Sequence, residues 1–555
     1  TGALADAREA TAEIMLNGKK LGRADNMFRT WRFDVTRRLR DRNNLLLIRF
    51  QSPTRHALAQ EKKHGVFVQA NGFSPRQHLR KAACGYGWDW GIRLPSSGIW
   101  RDVLLECSHS KETIRDVCLA TVSLRAGRTP RVEFRASLGA ANLKGLRWAV
   151  SGRCGRHRWT KQIPVRASET NAFFEIRGAK LWMVRGYGPQ HLYDIRIDLL
   201  RGRDCVERRE LRFGFRTVEI EQKRDAAGKS FRWIVNGIPV WVRGANWIPV
   251  DSMIPRDHDR RTRALIDLAC EANMNALRVW GGGVYESDLF YDLCDEKGLL
   301  VWQDFMFACG LYPEHKAYAQ SVRLEAEENV RRLRRHASLA LWCGNNENDW
   351  AYDIGWAGFQ DHGRLMGKLY SHKLLPEICR RLDPHRFYWP SSPFGSIKPN
   401  GQHDGDVHSW DIVHDRPDFT ICRLCRGRFV SEFGTQGMPA LQTFREFLPC
   451  SQQRPLSLGV EHHQRQGGRQ KWLVHLVRHR NLLFPEPILG VKRVKNAIEV
   501  STNVFAKGVW LNSREREIPV EDNYFDLLPG EKRIIRPRPG LELPADAIQA
   551  DAISY

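Results

Sequence analysis

The chain has 555 residues, of which 42% are hydrophobic and 10% aromatic. This composition indicates several globular domains and excludes collagen, a coiled coil and a disordered protein. The formal net charge of +24 allows contact with polyanions, but we favour a basic, solubilising surface over nucleic-acid binding.

No apolar run is long enough to span a bilayer, so we predict no contact with a membrane. The chain opens at Thr1 without a charged and apolar leader, which favours the cytoplasm or a missing N-terminus. The 13 cysteines are scattered and odd in number, as expected of mostly reduced thiols. Cys422 and Cys425 form the only Cys-x-x-Cys pair, and no second pair completes a zinc site, so no metal is predicted.

Residues 1–108 are predicted to form a β domain. Its clearest signal is the turn Asn17-Gly18, because Asn-Gly after an apolar run is typical of a two-residue hairpin. Further strand-like runs are Met27–Val35, Leu45–Phe50, Gly65–Ala70 and Ile99–Glu106. Residues 109–220 continue with alternating strands such as Arg131–Phe134 and Tyr193–Leu199. Evenly spaced short strands indicate two β-sandwich domains.

Residues 221–495 alternate strands with helices, which predicts a parallel sheet and therefore a barrel or a doubly wound fold. The seven strand-like pieces are Val240–Gly244, Ala276–Trp280, Leu299–Trp302, Leu339–Cys343, Phe387–Pro390, Val407–Trp410 and Phe429–Phe433. Helices are predicted over Asp257–Glu271 and Ser321–His336. Their apolar positions are Ala264, Leu265, Leu268 and Ala272 for the first helix and Val322, Ala326, Val330 and Leu333 for the second. Residues 496–555 are predicted to be β again.

Two glutamates stand where a barrel keeps its chemistry. Glu347 follows the strand Leu339–Cys343, and Glu432 lies within the strand Phe429–Phe433. A carboxylate at the carboxyl end of a barrel strand points into the mouth, where such folds place their active sites. One such glutamate alone would be a solvated strand end. With two such glutamates on the same presumed barrel, two interpretations stay open: solvated strand ends and a catalytic pair.

Aromatic residues lie near the same predicted strand ends, in a chain with 19 tryptophans. They are Trp247, Trp280, Tyr285, Trp302, Trp350, Trp356, Trp389 and Trp410. Aromatic faces can stack on the apolar faces of sugar rings, although core packing would explain each residue singly. Paired carboxylates with aromatic residues at a barrel mouth indicate glycoside hydrolysis.

At these residues the chain resembles the β-mannosidases of glycoside hydrolase family 2. The resemblance runs through nearly every segment up to about residue 440. Its motifs are Met27-Phe28-Arg29-Thr30-Trp31, Arg80-Lys81-Ala82, Gly87-Trp88-Asp89-Trp90-Gly91, Gly186-Tyr187-Gly188, Gly214-Phe215-Arg216, Arg243-Gly244-Ala245-Asn246-Trp247, Arg278-Val279-Trp280, Trp302-Gln303-Asp304-Phe305, Gly344-Asn345-Asn346-Glu347 and Ser431-Glu432-Phe433-Gly434.

The resemblance implies a multidomain β plus α/β fold. A jelly-roll-like sugar-binding domain would cover 1–108, an immunoglobulin-like β-sandwich 109–220, a catalytic (β/α)8 TIM barrel 221–495 and a C-terminal immunoglobulin-like β-sandwich 496–555. The activity it implies is a retaining, exo-acting β-mannosidase. Such an enzyme removes terminal non-reducing β-D-mannose from a β-mannoside oligosaccharide or glycan and needs no cofactor.

Catalytic roles also follow from the resemblance. Glu347 would be the general acid/base on strand 4, and Glu432 would be the nucleophile on strand 7. Asn346 would hold the 2-hydroxyl, which is axial in mannose. Trp280 and Trp410 would line the −1 subsite.

The remaining predicted substrate-binding residues are Asp89, Trp88, Trp302 and Asp304. Asp89 would reach from a loop of the first domain to the distal hydroxyls of the terminal sugar. Such a plug prevents extension of the pocket and makes the enzyme exo-acting.

Two features depart from the family pattern. After Gly434 no motif supplies an eighth strand, and the first domain lacks its opening strands, so both are predicted to be incomplete. Three alternatives stay open: another exo-acting member such as a β-glucosaminidase, an endo-β-mannosidase, and an inactive carbohydrate-binding relic. A strand formed by residues 480–500 between the first and seventh strands would argue against the relic.

Overall fold

The computed structural model describes residues 2–5, 12–107, 112–126, 128–140, 142–411, 424–434, 439–453, 457–463, 487–513, 516–544 and 548–553. The chain divides into two compact units, residues 1–409 with 423–433 and residues 410–422 with 434–555. Among the described residues, no helix has the length and apolar character needed to cross a membrane.

Two three-stranded antiparallel sheets begin the first unit. One joins Trp31–Phe33, Gly2–Ala5 and Val103–Glu106, and the other joins Lys19–Ala24, Ala12–Leu16 and Leu46–Phe50. The predicted hairpin at Asn17 and Gly18 is confirmed, with φ values of 52° and 76° that suit a tight two-residue turn.

A helix that the sequence patterns did not indicate covers Pro53–His64. Ser52 caps it by accepting a 3.3 Å hydrogen bond from the backbone N–H of Arg55, and proline occupies the first turn. The helix ends at Gly65, whose φ of 90° favours glycine. Its three final residues are basic, which suits the negative end of a helix dipole.

The predicted strand Gly65–Ala70 is wrong. These residues form no regular sheet. They run alongside the loop after the third barrel strand and form hydrogen bonds with its backbone. Ala70 N donates to Cys309 O at 3.0 Å, and Leu311 N donates to Val68 O at 3.0 Å. The first domain is thereby tied directly to the barrel.

Residues 113–213 form two antiparallel sheets that pack face to face. One sheet joins His157–Pro164, Leu146–Cys154, Tyr193–Arg201 and Asp204–Phe213, and the other joins Glu169–Glu175, Thr129–Gly139 and Thr113–Arg125. Alternate residues such as Trp148, Val150, Ile195 and Ile197 are buried between the sheets. Period-two burial on two facing sheets is the predicted β-sandwich.

A small three-stranded sheet leads into the barrel. It joins Val218–Glu221, Arg232–Val235 and Ile238–Val240, and a short hairpin pairs Arg224–Asp225 with Gly228–Lys229. The rings of Phe231 and Trp233 each lie 6.1 Å from the ring of Trp302. This aromatic packing fills the interior beneath the third barrel strand.

In the part of the barrel region that the structure describes, seven short parallel strands are numbered 1 to 7 in chain order. They are Gly244–Trp247, Ala276–Val279, Leu300–Asp304, Leu339–Cys343, Phe387–Trp389, Val407–Ser409 and Val430–Phe433. Strands 1 to 5 form one parallel sheet, and strands 6 and 7 form a parallel pair. The intervening helices are His258–Glu271, Asp288–Lys297, Lys316–Leu333, Asn348–Asp353 and Leu375–Leu382. Parallel strands of a barrel place their carboxyl ends at one mouth.

Both predicted helices are confirmed, but the buried face of the first was predicted wrongly. The predicted positions Ala264, Leu265, Leu268 and Ala272 are exposed, whereas Ile266 and Ala269 are buried. Both sets have helical spacing, so periodicity alone could not choose between the faces. In the second helix the predicted positions Val322, Ala326, Val330 and Leu333 are all buried.

Strands 1 and 7 approach each other, because Asn246 Nδ2 donates to Ser431 O at 3.2 Å. Within the described residues, none of 480–500 forms a strand between them. Leu489–Val494 pairs antiparallel with Ala497–Thr502 instead, and residues 464–486 lie outside the described part. The predicted absence of an eighth strand therefore stays a prediction.

The second unit contains two short helices, Leu441–Phe447 and Leu458–His463, and antiparallel strands. The strands are Leu489–Val494, Ala497–Thr502, Ala506–Ser513, Arg516–Glu517, Phe525–Leu527, Lys532–Ile535 and Gln549–Ile553. They form two sheets around a core that includes Val500, Val509 and Leu511. This packing agrees with the predicted C-terminal sandwich.

Candidate active site

Glu347 lies just beyond the carboxyl end of barrel strand 4. The strand is buried at every position, and Glu347 adopts a left-handed conformation with φ of 66°. Residues other than glycine seldom adopt this conformation, and those that do concentrate at functional sites. Glu347 N donates to Ser392 O at 2.7 Å, which holds the turn. The result is a carboxyl group that is held, 6% exposed, in the barrel mouth.

Glu432 occupies the corresponding place on strand 7 and is 7% exposed. An oxygen of its carboxyl group lies within 4.8 Å of an oxygen of Glu347. Retaining glycosidases hold two carboxyl groups about 5–5.5 Å apart, whereas inverting enzymes hold them about 6.5–9.5 Å apart. The structure therefore brings together the two predicted glutamates at a distance that suits retention.

His408, on strand 6, lies between the two carboxyl groups. Its Nδ1 is 2.7 Å from Glu347 Oε1 and 3.3 Å from Glu432 Oε2. Its Nε2 is 3.0 Å from the hydroxyl oxygen of Ser392. Burial lowers the pKa of His408 to about 4, so the imidazole is neutral near pH 7.

Arg278, on strand 2, holds the other side of Glu432. Its Nη1 donates to Glu432 Oε1 and, at 2.8 Å, to Asn246 Oδ1. Its Nη2 donates to Asp304 Oδ2 at 2.9 Å and to Asn346 Oδ1 at 2.8 Å. Burial opposes the charge of Arg278, but Asp304 and Glu432 outweigh this effect and raise its pKa. Arg278 is therefore a permanent cation inside the site.

Opposing effects act on Glu432. Burial raises the pKa of Glu432, and the neighbouring Glu347 adds to the rise, whereas His408 and Arg278 lower it. The net direction is upward. Since the guanidinium contacts Glu432 and not Glu347, the negative charge of the pair is best stabilised on Glu432.

Asn346 and Cys309 complete the surroundings of Glu347. Asn346 Nδ2 donates to Cys309 Sγ at 3.3 Å, and the thiol donates to Glu347 Oε2 at 3.1 Å. Burial raises the pKa of the Cys309 thiol, so it keeps its hydrogen. Because sulfur is a weak acceptor, a ligand hydroxyl can readily replace it as the partner of Nδ2.

The first domain reaches the mouth at Trp280, which follows strand 2. The ring of Trp88 lies 4.6 Å from that of Trp280 and the ring of Trp90 lies 5.8 Å away, both edge-on. Cys84 N also donates to the carbonyl of Gly282 at 2.9 Å. Asp89, which is half-buried, lies between these two tryptophans in the sequence. The predicted Asp89 loop is thus anchored at the carboxyl end of strand 2.

Three predicted residues have other placements. Trp302 and Asp304, on strand 3, are 2% and 0% exposed, and Asp304 Oδ1 accepts a 2.8 Å bond from Trp302 Nε1. With its other oxygen on Arg278, Asp304 supports the guanidinium. Trp410 directly follows strand 6 and belongs to the second unit. A direct contact between these three residues and a substrate stays a prediction.

Glu347, His408 and Glu432 also have the spacing of a cation site, with one ligand atom each within 4.8 Å. They do not suit a metal, because the Arg278 guanidinium on Glu432 already supplies positive charge at that point. Of the predicted Cys-x-x-Cys pair, Cys422 lies outside the described residues, and Cys425 is a free thiol.

Sequence reasoning missed His408, Cys309 and the role of Arg278. For His408 a signal existed, because residues at every second position of a strand share a face. His408 and Trp410 have this spacing on the predicted strand Val407–Trp410, and Asp406, directly before it, continues the spacing. For Cys309 no local signal existed, since it follows strand 3 in an irregular loop.

Three family profiles match the chain. They are "Glycosyl hydrolase 2 galactose-binding domain-like" over residues 9–101, "Glycosyl hydrolases family 2" over 147–216 and "Ig-fold domain" over 484–552. The profiles cover the first domain, much of the first sandwich and the sandwich of the second unit. They confirm the predicted classes of these β domains.

Similar proteins span more of the chain. "Beta-mannosidase B" of Thermothelomyces thermophilus is 35% identical over 517 residues, 87% of this chain and 58% of that protein. "Beta-mannosidase B" of Aspergillus fumigatus is 33% identical over 485 residues, 84% of this chain and 57% of that protein. The chain thus spans less than two thirds of these relatives. The crystal structure of a β-D-mannosidase from Dictyoglomus thermophilum matches with a TM-score of 0.80 and 30% identity, over 99% of this chain and 78% of that chain. The predicted fold class is confirmed.

Proposed function

Because the chain belongs to glycoside hydrolase family 2, we propose that it is an exo-acting, retaining β-mannosidase. Its substrate would be the terminal non-reducing β-D-mannose of an oligosaccharide or glycan. The observation that carries the proposal is the buried pair Glu347 and Glu432, with oxygens within 4.8 Å at the ends of strands 4 and 7. The choice of mannose is supported by the similar proteins, which are named β-mannosidases.

Each carboxyl group has one duty in each of two steps. In the first, Glu347 gives its proton to the aglycone oxygen while Glu432 attacks the anomeric carbon. The bond between that carbon and the aglycone oxygen breaks, and a glycosyl ester with Glu432 forms. In the second, the Glu347 carboxylate takes a proton from water, whose oxygen displaces Glu432. Two inversions leave the product in the β configuration.

Sugar recognition is proposed for residues around the pair. Asn346 is suited to the axial 2-hydroxyl, because its Nδ2 faces only a weak sulfur acceptor. Trp280 and Trp88 offer aromatic surface, and Asp89 offers a carboxylate for distal hydroxyls. Because the Asp89 loop belongs to the first domain and lies at the barrel mouth, it would limit the pocket to a single sugar.

A panel of nitrophenyl β-glycosides tests the proposal. The full chain should cleave the β-mannoside in preference to the β-glucoside, β-galactoside and β-glucosaminide. Proton NMR during early turnover should detect β-mannose before its α anomer. A preference for the glucosaminide would support a different exo-glycosidase, and early α-mannose would exclude retention. A chain that binds sugars and cleaves none would be the relic.

A further inference from the structure

His408 has a second set of partners behind the carboxyl pair. Asp406 and Ser392 are fully buried, and His408 is 3% exposed. The Ser392 hydroxyl donates to Asp406 Oδ2 at 2.6 Å, and Ser392 Oγ is 3.0 Å from His408 Nε2. A continuous path of polar contacts therefore runs from Asp406 to Glu347.

Asp406 is surrounded by donors. Its Oδ1 accepts from Trp389 Nε1 at 2.7 Å and from Phe394 N at 2.9 Å, and its Oδ2 accepts from the hydroxyls of Ser392 and Ser431. The two N–H groups cannot accept a carboxyl hydrogen, and both hydroxyls donate to Oδ2, so this set of four donors suits an ionised carboxyl group. Asp406 therefore acts as a carboxylate, and the hydrogen of Ser392 points towards it.

This arrangement decides which imidazole nitrogen carries hydrogen. A serine hydroxyl has a single hydrogen, and a neutral imidazole has a single N–H. Since Ser392 gives its hydrogen to Asp406, the hydrogen in the contact with Ser392 must come from His408 Nε2. The other nitrogen, Nδ1, then has a lone pair.

The lone pair in turn decides the state of Glu347. The 2.7 Å contact between His408 Nδ1 and Glu347 Oε1 needs a hydrogen, which must then belong to the carboxyl group of Glu347. The 3.3 Å separation between Nδ1 and Glu432 Oε2 is beyond ordinary N–H···O distances and needs none. The Cys309 thiol donates to Oε2, which suits the carbonyl oxygen of a protonated acid.

We propose that Asp406, Ser392 and His408 form a relay that fixes the Nε2–H tautomer and thereby keeps Glu347 protonated before the substrate binds. All three are positioning residues, because they act through Glu347. The charged and titratable groups that face the imidazole are Glu347, Glu432, Arg278 and Asp406. The tautomer of His408 is a property of the folded chain and does not depend on the proposed function. Only the effect of the relay on catalysis rests on that function.

The tautomer can be measured without activity. Long-range ¹H–¹⁵N NMR on the full chain with ¹⁵N-labelled histidine should show His408 as a neutral Nε2–H ring between pH 6 and 8. The His408→Gln variant assigns the signal by its loss. An Nδ1–H ring or a doubly protonated ring would overturn the relay. The expected tautomer in a chain that hydrolyses no mannoside would support the relay and count against the proposed function.

Asp406→Asn should reverse the relay. The new amide would donate to Ser392, which would turn its hydrogen to His408 Nε2 and leave the hydrogen on Nδ1, pointing at an ionised Glu347. Cleavage of mannosides with poor leaving groups should fall by about 10²-fold, within the range of general-acid assistance, and the basic limb of kcat/KM should move to lower pH. Dinitrophenyl mannoside, which needs no acid, should be cleaved at nearly the original rate.

Asp404→Asn is the matched control. Asp404 is also buried, lies two residues away and accepts from Ser396 N at 2.9 Å, not from the relay. It should leave the ratio of the two substrates unchanged. Equal losses on both substrates in Asp406→Asn, or a basic limb that stays in place, would overturn the relay. Should Asp406→Asn fail to fold, the NMR measurement on the unaltered chain decides.

Discussion

The two glutamates share one barrel mouth but have different neighbours. Glu432 contacts the guanidinium of Arg278, a buried permanent cation. Glu347 contacts the neutral imidazole of His408 and the thiol of Cys309. A cation stabilises a carboxylate, whereas neutral partners give a carboxyl group no such preference. The same residue type can therefore serve as nucleophile at one strand end and as acid at another.

This difference is built by distant strands. Arg278 comes from strand 2 and lies 154 positions from Glu432, while His408 from strand 6 lies 61 positions from Glu347. The electrostatic surroundings of each carboxyl group are thus set by a residue from a strand other than its own. Variants that lack each carboxyl group in turn, a variant that lacks a sugar contact common to both steps, and a titration of the pair all test this difference between the two glutamates.

Glu432→Gln should have the largest effect. An amide cannot form the glycosyl ester, so kcat should fall on the order of 10⁶-fold, the scale on which loss of a nucleophile acts in covalent hydrolases. Labelling by a 2-fluoro-mannosyl inactivator, followed by mass spectrometry of the peptides, should disappear. The exposed Glu219 on the small sheet provides the control, Glu219→Gln, which should label normally. A label on any other residue of the unaltered chain would refute the assignment of Glu432.

Glu347→Ala should act selectively. General acid/base catalysis contributes about 10²–10⁴-fold, so cleavage of poor leaving groups such as sugars should fall by that order. Formation of the glycosyl ester from dinitrophenyl mannoside should be spared, because that phenolate leaves without a proton. Added azide should speed turnover of the variant by replacing water that Glu347 no longer activates. Equal losses on both substrates without azide rescue would make Glu347 a structural or binding residue.

Strand order was enough to place this pair of glutamates at one barrel mouth, and the resemblance to the family supplied their catalytic roles. Short apolar pieces such as Leu339–Cys343 are visible in the sequence, and in a barrel their carboxyl ends meet at one mouth. The fourth and seventh pieces became strands 4 and 7, with Glu347 and Glu432 at their ends. The first sandwich was equally visible, because burial alternates along strands such as Tyr193–Arg201.

The surroundings of the pair could not be predicted in the same way. His408, Cys309 and Arg278 meet the glutamates through side chains that no local period brings together. The segment Gly65–Ala70 has strand-like composition but pairs with the irregular loop at Cys309. The exposed Leu265 and buried Ile266 are adjacent, so the buried helix face depended on tertiary packing.

Asp89→Asn should have an effect that does not distinguish the two glutamates. Asp89 is predicted to bind hydroxyls of the sugar, which are present with every leaving group. A hydrogen bond to a charged group is worth about 1.5–3 kcal/mol, equivalent to about 10–150-fold in kcat/KM. Sugar and dinitrophenyl mannosides should lose activity equally. The exposed Asp102 provides the control, Asp102→Asn. Selective loss on poor leaving groups would place Asp89 with the acid and not with the sugar.

The smallest effect is in the pH profile of the unaltered chain. The nucleophile must be ionised, and burial raises the pKa of Glu432 above the ordinary value of 4.5. Activity should therefore be lost as pH falls through this raised pKa, so the acid limb of kcat/KM should have its midpoint above 4.5. A midpoint at or below that value would mean that Arg278 outweighs burial.

Substrate choice separates the two limbs of that profile. Both substrates need an ionised Glu432, so the acid limb should appear with sugar and dinitrophenyl mannosides alike. Only the sugar aglycone needs a proton from Glu347, so the basic limb should weaken or vanish with the dinitrophenyl substrate and in Glu347→Ala. If the basic limb persisted in that variant, another group would control it, and the contrast between the two glutamates would not be the source of the profile.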